Sequence, residues 1–225
     1  MINMNLFSQK FRWYWKQLLI LFSKKLRMIG FRKLLLQIAL SGILTAILVL
    51  TFSGVAHAYI VCCNWATNSA TYKHHSSLPT SFQAGTNAGA NVWTNVISSS
   101  WTWSYNSSSG NLIKYGAIDG SGGKAAVTSV FLIAGTTTIV GFELKYDSAE
   151  SWYTGTSTPS GGQMDLRSVA AHEFGHALGL AHTQTIPNCP GGWSNATMCN
   201  PIPAGTVYAR TLEGDDRNGV SILYP

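Results

Sequence analysis

A chain of 225 residues can hold one large domain or two small ones, and its formal net charge of +6 would ordinarily point to an acidic partner such as nucleic acid. The placement of the charge excludes that partner: eight of the fifteen Lys and Arg fall within the first 33 residues. From Tyr59 onward the other seven face nine Asp and Glu, a net of −2.

The basic segment reads as an export signal. Arg32 and Lys33 precede an apolar run from Leu34 to Phe52, and Ala56-His57-Ala58 forms an A-x-A cleavage site before Tyr59. The run is also close to the minimum that spans a bilayer, so an uncleaved membrane anchor is the alternative for residues 1–58. The region before Arg32 is long for a signal, and Met28 would start one of ordinary length. Residues 59–225 then form one domain large enough for a single core. Four cysteines suit an exported protein. Cys62 and Cys63 are adjacent and can hardly bridge each other, Cys189 and Cys199 could close a short loop, and three pairings stay open.

Ala70 to Lys73 is a short β-rich run. Phe82, Gly85, Gly89, Trp93 and Val96 recur at spacings of three and four, which predicts a helix over 81–96, weakened by its two glycines. Alternating runs follow at Trp101 to Tyr105 and Leu112 to Tyr115, separated by a turn cluster at 106–111. The tryptophans here pack in a core more often than they bind sugar. A glycine-rich loop at 116–124 leads to apolar strands at 125–134 and 139–146. After the Ser/Thr/Gly/Pro loop 154–162, Asp165 stands as the N-cap of a helix whose buried face is Leu166, Val169, Ala170 and Phe174.

That helix carries His172-Glu173-Phe174-Gly175-His176-Ala177-Leu178-Gly179-Leu180-Ala181-His182, of the form H-E-x-x-H-x-x-G-x-x-H. His172 and His176 are one turn apart on one face and can grip one metal ion. Gly179 can end the helix in the left-handed region, so that His182 approaches the ion from another side. Three imidazoles leave a fourth position open, the layout of a catalytic zinc site. Glu173 sits beside the metal, where its carboxylate can take a proton from the attacking water.

This stretch resembles the zinc signature of the metzincin proteases, whose further mark is a methionine turn; Asn195 to Pro201 contains Met198 in that role. Thr183, after the third histidine, is similar to the matrixin branch. Asn200, two after the methionine, removes the extra tyrosine ligand of other branches. Leu212 to Tyr224 resembles the last matrixin helix, L-x-x-D-D-x-x-G-I-x-x-L-Y, and the likeness runs from Trp65 to the C-terminus. It implies an α+β fold: a twisted mixed sheet, an active-site helix, a second long helix and a C-terminal helix. It also implies an edge strand near 125–134 along which a peptide lies extended. Calcium would be held at Asp147 and Glu150, Pro201 to Pro203 would line a side-chain pocket, and Ser168 would lie at its base. The family's second zinc has no histidines here, since none falls between His75 and His172, and no inhibitory cysteine segment is recognisable.

The expected protein is a secreted, monomeric zinc endopeptidase that meets a membrane only if its N-terminal segment is uncleaved. The competing classes are a zinc-containing surface binding module without activity and a cell-wall peptide amidase.

Overall fold

The computed structural model describes residues 60–182 and 195–225, all within one unit, Ala56–Pro225. The export segment, Thr183 and Cys189 lie outside the described residues. In chain order the elements are β1 (Ile60–Val61), β2 (Asn64–Trp65), β3 (Ser69–His74), α1 (Thr80–Thr94), β4 (Thr102–Tyr105), β5 (Leu112–Gly116) and β6 (Ala126–Leu132). They continue as β7 (Thr138–Asp147), β8 (Trp152–Tyr153), β9 (Met164–Asp165), α2 (Leu166–Leu178), β10 (Leu180–Ala181) and α3 (Gly214–Leu223).

β7 organises the sheet. Its Phe142, Leu144 and Tyr146 are buried and alternate with half-buried Glu143 and Lys145, as a strand with one face on a core requires. β5 pairs with it in parallel, Leu112 opposite Glu143, and β2 pairs in parallel nearer its start, Asn64 opposite Thr138. β6 takes the other edge, antiparallel, with Ala126 opposite Tyr146. Beyond β5 the order continues through β3 to β4, so the sheet is mixed and parallel-dominated, with β6 as an antiparallel edge.

The runs on either side of the 106–111 turn cluster do not pair with each other. β3 lies between them and pairs in parallel with both. Polar turn residues clamp the crossing: Ser109 Oγ and Asn111 Nδ2 both donate to the Thr71 carbonyl, at 2.9 and 2.7 Å. Trp101 and Trp103 are buried, packed edge to face against each other and, for Trp103, against Phe142 and Phe174. They are core and not a sugar platform.

α1 presents Gly85, Gly89 and Trp93 to α2, while Phe82 packs against Tyr115, Tyr146 and Trp152. A Cβ at Gly89 would sit 2.4 Å from the Ala170 Cβ and 2.6 Å from the Ala171 nitrogen. The glycines that weaken α1 as an isolated helix therefore let it touch the active-site helix backbone to backbone. Trp93 seals the contact by donating its indole N–H to the Ala171 carbonyl at 2.8 Å. Gly89→Val forces the helices apart and should cost about 3 kcal/mol, at the upper end of overpacking; a urea melt reads it as a lowered midpoint with an unchanged slope.

Candidate active site

α2 starts where Asp165 caps it, accepting from the Ser168 N–H at 2.9 Å and from its hydroxyl at 2.7 Å. Arg210 grips the same buried carboxylate with two nitrogens, Nε at 2.9 Å and Nη2 at 2.5 Å, and donates to the Ser157 carbonyl. The cap, the 154–162 loop and the tail are thereby tied together. Leu166, Val169, Ala170 and Phe174 are buried, so the helix cannot rotate and its histidines keep one aim.

His172 and His176 leave one face of α2. Gly179 then turns the chain at φ 109°, the left-handed conformation its sequence position anticipates. The turn is also crowded, since a Cβ there would lie 1.9 Å from the Cys63 carbonyl oxygen. His182 swings back, and the three Nε2 atoms meet at 2.9, 3.0 and 3.1 Å from one another. The contact between His172 and His176 is not a hydrogen bond between neutral rings. His172 Nδ1 donates to the Thr197 carbonyl at 2.6 Å and His176 Nδ1 to the Leu180 carbonyl at 2.8 Å, which leaves each of these rings only a lone pair at Nε2. Burial, and next the charge of His176, pushes His172 down to about 3 and His182 to about 4, while burial lowers His176 as well. The rings are therefore neutral and could serve as metal ligands.

Lone pairs facing each other at 3 Å repel, and a cation at their focus reverses the sign. A tetrahedral ion with bonds of about 2.0–2.1 Å holds its nitrogen ligands about 3.3–3.4 Å apart, within a few tenths of an ångström of this spacing. Among the described residues these three form the group able to share a metal ion, and the donor set fits zinc.

Beside them, Glu173 is 5% exposed. Its Oε2 is buried with no hydrogen-bond partner, and burial pushes its carboxyl up to about 7. The carboxylate and histidines open into a cleft of about 670 Å³ bounded by Ala125 to Thr128 of the β6 edge and, opposite, by Val169, Pro201 and Ile202.

A match to the matrixin family covers residues 65–225. The chain belongs to the matrixin family. Curated relatives include mouse matrix metalloproteinase-25, 37% identical over 109 residues, 47% of this chain and 15% of that protein. Human matrix metalloproteinase-20 is 39% identical over 85 residues, 38% of this chain and 15% of that protein. The hatching enzyme of Paracentrotus lividus is 34% identical over 79 residues, 35% of this chain and 11% of its own length. The chain thus matches 15% or less of the length of these relatives.

The matrixin turn at Met198 lies where the resemblance puts it. Met198 is fully buried, and its Sδ would be 2.3 Å from a Cβ at Gly175, between the two helical histidines. Ser168 is different: it is fully buried with its hydroxyl bonded to Asp165, and the apolar wall of the cleft comes from Met164, Val169, Ile202 and Ala204. Asp147 accepts backbone N–H groups from Ala149, Asp119 and Gly120, and Glu150 accepts from Gly122, so both carboxylates hold the 119–124 loop.

Two supports escape sequence reasoning. The β1 strap pairs Ile60 with Ala181, and the Cys62 N–H donates to the Gly179 carbonyl at 2.9 Å, which fixes the approach of His182. Burial, then the neighbouring Cys62, pushes the Cys63 thiol up to about 12, so it is a packed neutral group and not a thiolate reaching a metal. The other support is Asp216. Its carboxylate accepts from the Thr197 and Met198 N–H groups at 2.8 and 3.0 Å, orienting the carbonyl that His172 uses. It was visible only as part of the D-D pair at the start of the last helix.

Asp216→Ala frees the turn and unfixes the His172 ring. Zinc affinity, read by competition with a chelator of known affinity, should fall about 10- to 100-fold.

Proposed function

We propose that residues 59–225 are the catalytic domain of a secreted zinc endopeptidase, with His172, His176 and His182 as zinc ligands and Glu173 as general base. The observation that carries this reading is the juxtaposition of three converging ring nitrogens with one buried carboxylate oxygen that has no partner. When bound there, zinc supplies a Lewis acid that brings a water's pKa to about 7 and polarises a carbonyl.

The chain's own groups supply the rest. Among the described residues β6 pairs only on its β7 side, so the backbone groups of its other edge can take an extended peptide as a further strand beside the histidines. Met164, Val169, Ile202 and Ala204 favour an apolar side chain next to the cleaved bond. Glu173 takes a proton from the attacking water at Oε2 and returns it to the leaving nitrogen; its elevated affinity for a proton suits both directions. No side chain is acylated, because water is the nucleophile.

The finer features belong to the same proposal. Residues 1–58 are a signal segment removed at Ala58, and the product acts as a monomer. Cys199, which is buried and not free, bridges Cys189, since Cys62 and Cys63 are free thiols. Calcium binds at Asp147 and Glu150, where carboxylates clasp the 119–124 loop; added calcium then raises the melting temperature, and an unchanged one removes calcium from the scheme.

Glu173→Gln keeps one zinc per chain but loses about 10²- to 10⁴-fold in kcat/KM on casein-derived peptides. Retention of the wild-type rate would remove the carboxylate from the chemistry. A chelator abolishes activity in the parent chain and stoichiometric zinc restores it.

A further inference from the structure

The β6–β7 hairpin ends in an apolar tip that the fold does not cover. Phe131, Leu132, Ile133 and Val140 are between 43% and 58% exposed. Residues 125–142 contain no Asp, Glu, Lys, Arg or His. The tip is ordered by its own backbone: Ile133 N–H donates to the Thr138 carbonyl at 2.9 Å, Thr136 N–H to Ile133, and Gly135 turns at φ 76°. Its apolar side chains are exposed on this ordered backbone. A soluble domain rarely leaves such a patch open without a partner.

The position of the tip says what the partner is. β2 runs parallel to β7, with Asn64 opposite Thr138 and the Asn64 N–H bonded to the Thr137 carbonyl at 3.0 Å. Residues before Asn64 therefore emerge at the hairpin end of the sheet. Val61 is three residues back, within roughly 10 Å along the chain. Ile60 and Val61 are also exposed, at 51% and 42%. This is the end at which the apolar run Leu34 to Phe52 joins the domain, through the seven residues Ser53 to Tyr59. Seven residues reach about 25 Å at full extension. A bilayer holding that run thus lies within reach of six exposed apolar side chains from two separate stretches.

We propose that the hairpin tip, with Ile60 and Val61, is a lipid-docking surface that lies against the bilayer while Leu34–Phe52 remains attached. The contact is apolar and not electrostatic, because no cationic side chain belongs to the tip, so zwitterionic lipid suffices. Among the described residues no helix is long and apolar enough to cross a membrane. The inference does not depend on the proposed peptidase activity.

The test is cell-free synthesis of the full-length chain onto phosphatidylcholine vesicles carrying a diazirine in the acyl chain, followed by illumination, denaturation and trypsin. Cleavage after Lys124 and Lys145 isolates the whole hairpin in one peptide. Lipid adducts are expected on Ala125–Lys145 as well as on the N-terminal run, and the doubly substituted Phe131→Asp, Ile133→Asp chain should lose about tenfold of the hairpin adduct while keeping the N-terminal one. Adducts confined to the N-terminal run, or an Ala125–Lys145 peptide joined to a second copy of the chain instead of to lipid, would overturn the proposal.

Discussion

Three ring nitrogens are held about 3 Å apart, and most of the architecture can be understood as what keeps them there. Two rings carry their proton on Nδ1 because a backbone carbonyl accepts it, so neither can rotate to relieve the contact without losing a buried hydrogen bond. The repulsion between the Nε2 lone pairs becomes attraction only around a cation. The three nitrogens are thus placed where they could share one metal ion.

Each histidine is held from a different direction. His172 is oriented from below, by the turn that Asp216 anchors across 18 residues of sequence separation from Met198. His176 closes on the carbonyl of Leu180, just after the helix ends, so the terminating turn and this histidine fix each other. The segment leading to His182 is held by the β1 strap, which is distant from it in sequence. α2 itself is pinned by its N-cap network and by the glycine contact with α1. Because the supports come from separate elements, the site forms only when the whole domain has folded. That couples the chemistry to global stability and not to one flexible loop.

This division explains how much was legible beforehand. The helix, its cap, its glycine stop and the convergence of three histidines follow from residues within 18 positions of one another, where spacing and propensity act directly. The strands were legible as elements but not as neighbours. The runs at Trp101–Tyr105 and Leu112–Tyr115 are adjacent in sequence, yet β3 separates them, because long-range pairing is set by which faces bury together and not by proximity along the chain. Gly85 and Gly89 looked like defects until α2 came against them. Ser168 shows the same limit from the other side: its place relative to the histidines was readable, but its preference for Asp165 over the cleft needed the N-cap network. Asp216 and the β1 strap act over long separations, and no local pattern announces them.

The edge strand β6 joins the chemistry to the surface. An uncharged strand with one open edge is ordinarily a hazard, since it offers unpaired backbone groups to any other strand. Here the hazard is divided along its length. The half from Ala126 to Thr128 borders the histidines, where an open edge can read an extended peptide. The register of β6 against β7 shifts between Phe131 and Leu132, where Val140 is the extra residue. The large side chains that stay exposed from there on are apolar. Such a surface suits a fluid, non-directional partner better than another strand, and it places the cleft and the apolar tip on one continuous element.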